Sequence, residues 1–168
     1  KNSILDDEKR LGEVISETRS RGRMKLEGAC HSAAVARATS YFSPTSYYND
    51  NTEGIGYYQF LEQLDRDYAD RKKEIIARLK QVMERLFTVE NLLVSYTADE
   101  EGFRQLPAAL RKLKEMLPEG SKETYPFTFP AGNRNEGFKT ASQVNYVARC
   151  GTFAGSGYAY TGALRLLK

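Results

Sequence analysis

The chain has 168 residues, 40% of them apolar and 28% charged, room for one globular domain or one and a half. Its formal net charge of +3 comes from 25 basic and 22 acidic residues, interleaved as in Arg66-Asp67 and Lys73-Glu74, which suits solvated helix faces and speaks against a nucleic-acid-binding stripe. No run of about 18 apolar residues marks a membrane span, and the two cysteines, Cys30 and Cys150, lie outside any CxxC pair, so reduced thiols and a cytoplasmic setting are expected.

Residues 5–26 read as a helix, with Asp6, Asp7 and Glu8 crowding a first turn where the helix dipole favours acids. Leu11, Val14, Ile15 and Thr18 then share one face. A second helix is predicted over 28–41, rich in Ala29, Ala33, Ala34, Ala36 and Ala38, and able to approach a neighbour closely. Pro44, Asn49-Asp50-Asn51 and Gly54 mark a loop. The longest helix, 55–87, carries Tyr57, Leu61, Leu64, Tyr68, Ile75, Leu79, Val82 and Leu86 as a sustained apolar stripe.

The run Asn91-Leu92-Leu93-Val94-Ser95-Tyr96 predicts a buried strand over 91–96. Asp99-Glu100-Glu101 opens a helix over 100–117, with Phe103, Leu106, Leu110, Leu113 and Leu117 on its face, ended by Pro118 and Gly120. Proline and glycine punctuate 119–141 as a linker, within which Tyr125, Phe127 and Phe129 alternate as an extended piece does. A strand over 142–153 follows, with Val144, Tyr146, Ala148 and Cys150 on one face, and then the opening of a helix at 158–168. The domain boundary is placed near 119–124: residues 1–118 form one unit and 142–168 begin another. An element left unfinished at Lys168 and a start without Met read as a piece of something longer.

No constellation carries chemistry. His31 is the sole histidine, whereas a zinc hydrolase commonly uses three protein ligands plus water; Glu27, four residues earlier, offers it a local pair only. A Ser-His-acid arrangement has only His31 for its base, and Ser95, Ser142 and Ser156 all lie outside a G-x-S-x-G elbow. Gly151, Gly155, Gly157 and Gly162 sit between strand and helix, but Tyr160 stands where G-x-G-x-x-G needs glycine, and Ala163 where a P-loop needs lysine. Tyr41-Phe42, Tyr47-Tyr48 and Tyr57-Tyr58 suit the wall of an interface or chamber. The expectation is no catalytic and no metal-binding residue, with substrate-binding residues unassigned.

Three stretches carry a resemblance: GACHSAAVARATSYFSPTSYYNDNTEGIGYYQFLEQL at 28–64, FTVENLLVSYTADEEGF at 87–103 and SQVNYVARCGTFAGSGYAYTGALRLLK at 142–168. In that order they resemble the C-terminal half of the presequence-protease branch of the pitrilysin/insulinase metallopeptidases. The resemblance implies an α+β fold, a helix-rich two-layer domain with a small antiparallel or mixed sheet. Residues 1–118 would then be the later part of a third domain and 142–168 the start of a fourth, in a clamshell enclosing a chamber. It also implies a zinc-dependent oligopeptidase whose zinc sits in an inverted His-x-x-Glu-His motif elsewhere, activating water with the motif's Glu as general base. This chain would be a non-catalytic part of the chamber wall.

The expected partners are peptide substrates and the remaining domains of the same polypeptide, with neither nucleic acid nor membrane; an exposed 142–153 strand edge would also favour self-association. A family member lacking the zinc ligands would instead be a scaffold or protein-interaction module. A free-standing helical interaction domain built on 55–87 is a third reading.

Overall fold

The computed structural model describes residues 5–121, 124–132, 134–141, 143–153, 157 and 161–163. Five α-helices follow one another: α1 (Glu8–Gly28), α2 (Cys30–Ser40), α3 (Pro44–Glu53), α4 (Ile55–Leu86) and α5 (Glu100–Glu115). They fall into two compact units, one of Lys9–Asp67 with Phe127–Lys168, the other of Lys1–Glu8 with Tyr68–Pro126.

In the unit built on α1, α2 and α3, Ile15 of α1 and Ile55 and Leu61 of α4 are buried. The α1 helix runs antiparallel to the first part of α4. The Ser16 hydroxyl donates to the Asp65 carboxylate, the Arg19 guanidinium lies 2.8 Å from the same group, and Gly22 faces Tyr58 and Leu61. Ion pairs three and four residues apart, Arg10–Glu13, Arg21–Glu17 and Arg23–Glu27, line the outer surface of α1 and add a few tenths of a kcal/mol each.

The loop expected around Pro44 is a helix. Pro44 occupies the first turn, where its missing N–H costs nothing, and the Ser43 hydroxyl caps it by accepting from Ser46 N–H at 3.3 Å. The polar cluster that resembles a turn is helical because its side chains bond back along the helix. Asn51 donates to the Tyr47 carbonyl at 2.7 Å and Thr52 to that of Tyr48 at 3.0 Å.

In the other unit, Ile75 and Ile76 of α4 are buried. The Tyr68 hydroxyl donates to the Glu8 carbonyl at 2.6 Å, and Lys72 pairs with the Glu8 carboxylate at 2.5 Å. Beyond α4 the chain makes a 3-10 turn at Val89–Asn91. That turn is clamped to the 118–120 segment by Val89 N–H on the Pro118 carbonyl and Gly120 N–H on the Glu90 carboxylate. The α5 helix starts on Asp99, which accepts from Gly102 N–H at 2.8 Å, and continues through Pro107.

The expected α+β class, with its small sheet, is corrected: among the described residues no strand forms. The strand predicted at 91–96 is replaced by the 3-10 turn and an irregular stretch with Leu93 92% exposed. A strand needs a neighbour to take its backbone hydrogen bonds and cover one face, and the described residues supply none. The same holds at 143–153, where Val147 is 94% exposed and the face expected to join Val144, Tyr146, Ala148 and Cys150 does not exist. Ser142 and most of the helix expected at 158–168 lie outside the described residues.

Candidate functional site

The most ordered polar constellation is built where α2, α3 and the start of α4 meet. Asp50, in the last turn of α3, is 2% exposed. Its carboxylate accepts from the backbone N–H groups of Ile55 at 3.1 Å and Gly56 at 3.2 Å, the unpaired donors of α4's first turn. Its own carbonyl accepts the Gly54 N–H at 3.1 Å, so one residue both ends α3 and caps α4. Close approach requires the glycines: a Cβ would lie 2.7 Å from Asp50 Oδ1 at position 54 and 2.6 Å from Oδ2 at position 56.

A buried carboxylate needs a counter-charge, and Arg37 of α2 supplies it, with its guanidinium 2.5 Å from Asp50 Oδ2. The rest of that guanidinium serves a second carboxylate: Nε and Nη2 donate to Glu136 at 2.8 and 3.1 Å. The Tyr41 hydroxyl also donates to Glu136, and the Arg37 guanidinium stacks 5.3 Å from the Tyr41 ring.

Each group is pushed away from neutral-pH titration. The hydrogen bonds from Arg37 hold the Glu136 carboxyl below the usual carboxylate range. The Glu136 bond, followed by that to Asp50, raises Arg37 in spite of its partial burial. Burial, and then the Glu136 bond, raises the Tyr41 phenol. Groups fixed this firmly in their ordinary charge states hold chain segments together and are poorly suited to moving protons.

The residues weighed from sequence lie apart from this cluster. His31, at the start of α2, is exposed, with its ring 5.7 Å from that of Tyr146. Glu27 is engaged by Arg23 at 2.8 Å. The Cys30 thiol donates to the Glu27 carbonyl at 3.3 Å, and Cys30 and Cys150 are both free and half-buried. Ser95 is exposed; Ser156 and Gly155, like Ser142, lie outside the described residues.

Of the paired aromatics, Tyr41 joins the Arg37 cluster, while Tyr58 donates to Glu62 at 2.7 Å beside an open cleft of about 340 Å³ that also meets Arg19, Arg23 and Glu27. That cleft mixes both charge signs. Tyr47 stacks on Phe127 and Phe129, with centroids 6.0 and 5.9 Å apart.

The zinc expected of a pitrilysin-type peptidase does not fit the described residues. No group of three or more His, Cys, Asp or Glu side chains comes together among them, and no step of the chemistry is derived through a metal here. Among the described residues, no helix is long and apolar enough to cross a membrane. Sequence reasoning missed the Arg37 cluster. Its one legible signal was the Gly54-x-Gly56 spacing just after Asp50; Glu136, in a stretch read as linker, gave none.

Comparison with known proteins follows the same lines. Residues 1–64 match the family described as associated with the peptidases of family M16, subfamily C. The chain is 33% identical over 168 residues to "Protein HypA" of Clostridium perfringens, an alignment covering 98% of this chain and 17% of that protein. It is 26% identical over 160 residues to "Presequence protease 1, chloroplastic/mitochondrial" of Arabidopsis thaliana, covering 94% of this chain and 15% of that one. The chain thus spans about a sixth of the length of these relatives. No solved structure matches it.

Proposed function

Starting from the fact that this chain belongs to the pitrilysin-type M16 peptidase family, we propose that it is a non-catalytic helical part of a peptide-degrading enzyme. In this reading it contributes to the wall of a chamber that encloses unfolded peptides, while the hydrolytic zinc centre is formed by other residues of the polypeptide. The observation that carries the proposal is the alignment. Nearly all of this chain matches a minor share of each relative, one of which is named a protease, and the described residues bring no metal-binding donor set together.

The Arg37–Asp50–Glu136 cluster fits such a role. It fixes the α2–α3 corner and the start of α4 without an exposed reactive group, as a wall requires and a catalytic centre does not. The paired tyrosines around α3 offer amphipathic rings suited to contact with unfolded chains.

The test compares the chain alone with the chain joined to the zinc-binding half of a family member. Alone, it is expected to retain no stoichiometric zinc after gel filtration and to cleave no internally quenched peptide. Joined, it is expected to support chelator-sensitive cleavage that falls when Asp50 is replaced by alanine. Chelator-sensitive cleavage by the chain alone overturns this division of labour. Cleavage indifferent to Asp50→Ala overturns the wall role, and a joined protein that never cleaves favours the scaffold reading.

A further inference from the structure

The α2–α3 corner carries an occupant that belongs to no helix. The described residues between 127 and 146 run antiparallel along α2. Gly132 N–H reaches the Tyr41 carbonyl, at the end of α2, at 3.4 Å. Glu136 meets Arg37, one turn back, and Tyr146 stacks on His31 at the helix start. At the other end of this strap, Phe127 and Phe129 both face Tyr47 of α3, the same-face spacing of an extended chain.

The attachments are few and made chiefly by side chains. Phe127 remains 56% exposed and Tyr146 49%. The receiving surface, in contrast, is built: Arg37 is only 15% exposed at its side chain and is held from behind by the fully buried Asp50 carboxylate. Its remaining N–H donors point at the strap. The surface is preorganised and the occupant is not, which is the relation between a docking site and an extended ligand.

We propose that the α2–α3 face is a docking groove for an extended peptide of the pattern aromatic-x-aromatic with a carboxylate seven residues further on, and that residues 127–146 fill it in cis. Tyr47 receives the aromatic pair; Arg37 and Tyr41 receive the carboxylate. The inference rests on the peptide-chamber reading above and adds to it the class of peptide bound. A tethered occupant acts at an effective concentration of the order of millimolar, so a free peptide gains access only when the strap is loosened.

The test uses the whole chain and a fluorescein-labelled peptide of sequence FTFPAGNRNEGFKT, matching 127–140, read by fluorescence anisotropy. Glu136→Gln and Phe129→Ala each weaken the strap and leave the groove intact. Both variants are expected to bind the peptide at least fivefold more tightly than the unaltered chain. They are also expected to bind its Glu-to-Gln version at least fivefold more weakly than the parent peptide. Two variants loosening opposite ends guard against loss of folding in one, and far-UV circular dichroism checks each.

Equal affinity across all three chains, or binding indifferent to the peptide's carboxylate, overturns the groove. Because the readout is binding by this chain, it fails independently of the chamber role. Lost binding with intact cleavage in the joined enzyme removes only the groove; lost cleavage with intact binding removes only the chamber.

Discussion

The α3 and α5 helices invert the usual relation between sequence pattern and burial. The α5 helix has a regular apolar face, Phe103, Leu106, Leu110, Leu113 and Leu117 at spacings of three and four, yet no residue of it is buried and Phe103 is 63% exposed. The α3 helix, PTSYYNDNTE, has no such face and nonetheless buries Asp50 to 2% exposure. Periodicity tells which face is able to be buried; unpaired backbone donors and a counter-charge decide where burial is enforced. The predictions below probe that contrast from its strongest point outward.

The largest effect is expected at Asp50. Asp50→Ala leaves the N–H groups of Ile55 and Gly56 without their acceptor and removes one of the two carboxylates paired with Arg37. Breaking a buried pair on one side costs about 3–5 kcal/mol, to be read as a shift of the urea midpoint followed by circular dichroism. A loss below about 1 kcal/mol, the worth of an ordinary hydrogen bond, shows that Asp50 is not what joins α3 to α4.

A smaller loss follows from the close approach of backbone to carboxylate. In Gly56→Ala the added methyl would lie 2.6 Å from Asp50 Oδ2, which already accepts the residue's own N–H. Crowding of this kind costs about 1–3 kcal/mol. In an Asp50→Ala background the two effects should fail to add, since the atom being crowded is gone. Full additivity by urea unfolding would separate the glycine from the carboxylate.

Glu136 is expected to contribute about 1 kcal/mol, visible mainly as attachment of the strap. Arg37 lowers its folded pKa below the ordinary 4.5, so its contribution is complete above pH 4.5 and is lost as the pH falls from there through the lowered value. Hydrogen exchange of the 127–146 amides should therefore be slowed equally at pH 7 and pH 5 and accelerate relative to reference amides below 4.5. The Glu136→Gln chain should lack that transition. A transition that persists in the variant assigns it to another carboxylate.

How much of this is legible in the sequence follows from what each feature depends on. The long amphipathic stripe from Tyr57 to Leu86 is local information, and α4 (Ile55–Leu86) matches the periodicity. Helix α3 reads as a loop because proline, asparagine and aspartate favour loops and helix starts alike, and only the Ser43 cap distinguishes them. The segment 91–96 reads as a strand because a short apolar run states a preference that only a partner strand can satisfy. Arg37 and Glu136 are 99 residues apart in the chain, and no single-sequence pattern links two charges at that distance.

The smallest expected effect is on α5, and it is the sharpest check on the comparison. Leu113 is 39% exposed, so replacing it with lysine removes little buried area. The new ammonium would lie in the last turn of the helix, where a positive charge meets the carbonyl ends favourably. Stability by urea unfolding should therefore change by no more than about 0.5 kcal/mol, as for surface positions generally. A loss of about 2 kcal/mol or more would place Leu113 in a packed core in solution. The apolar periodicity of α5 would then describe actual burial, and the contrast with α3 would reduce to the single carboxylate of Asp50.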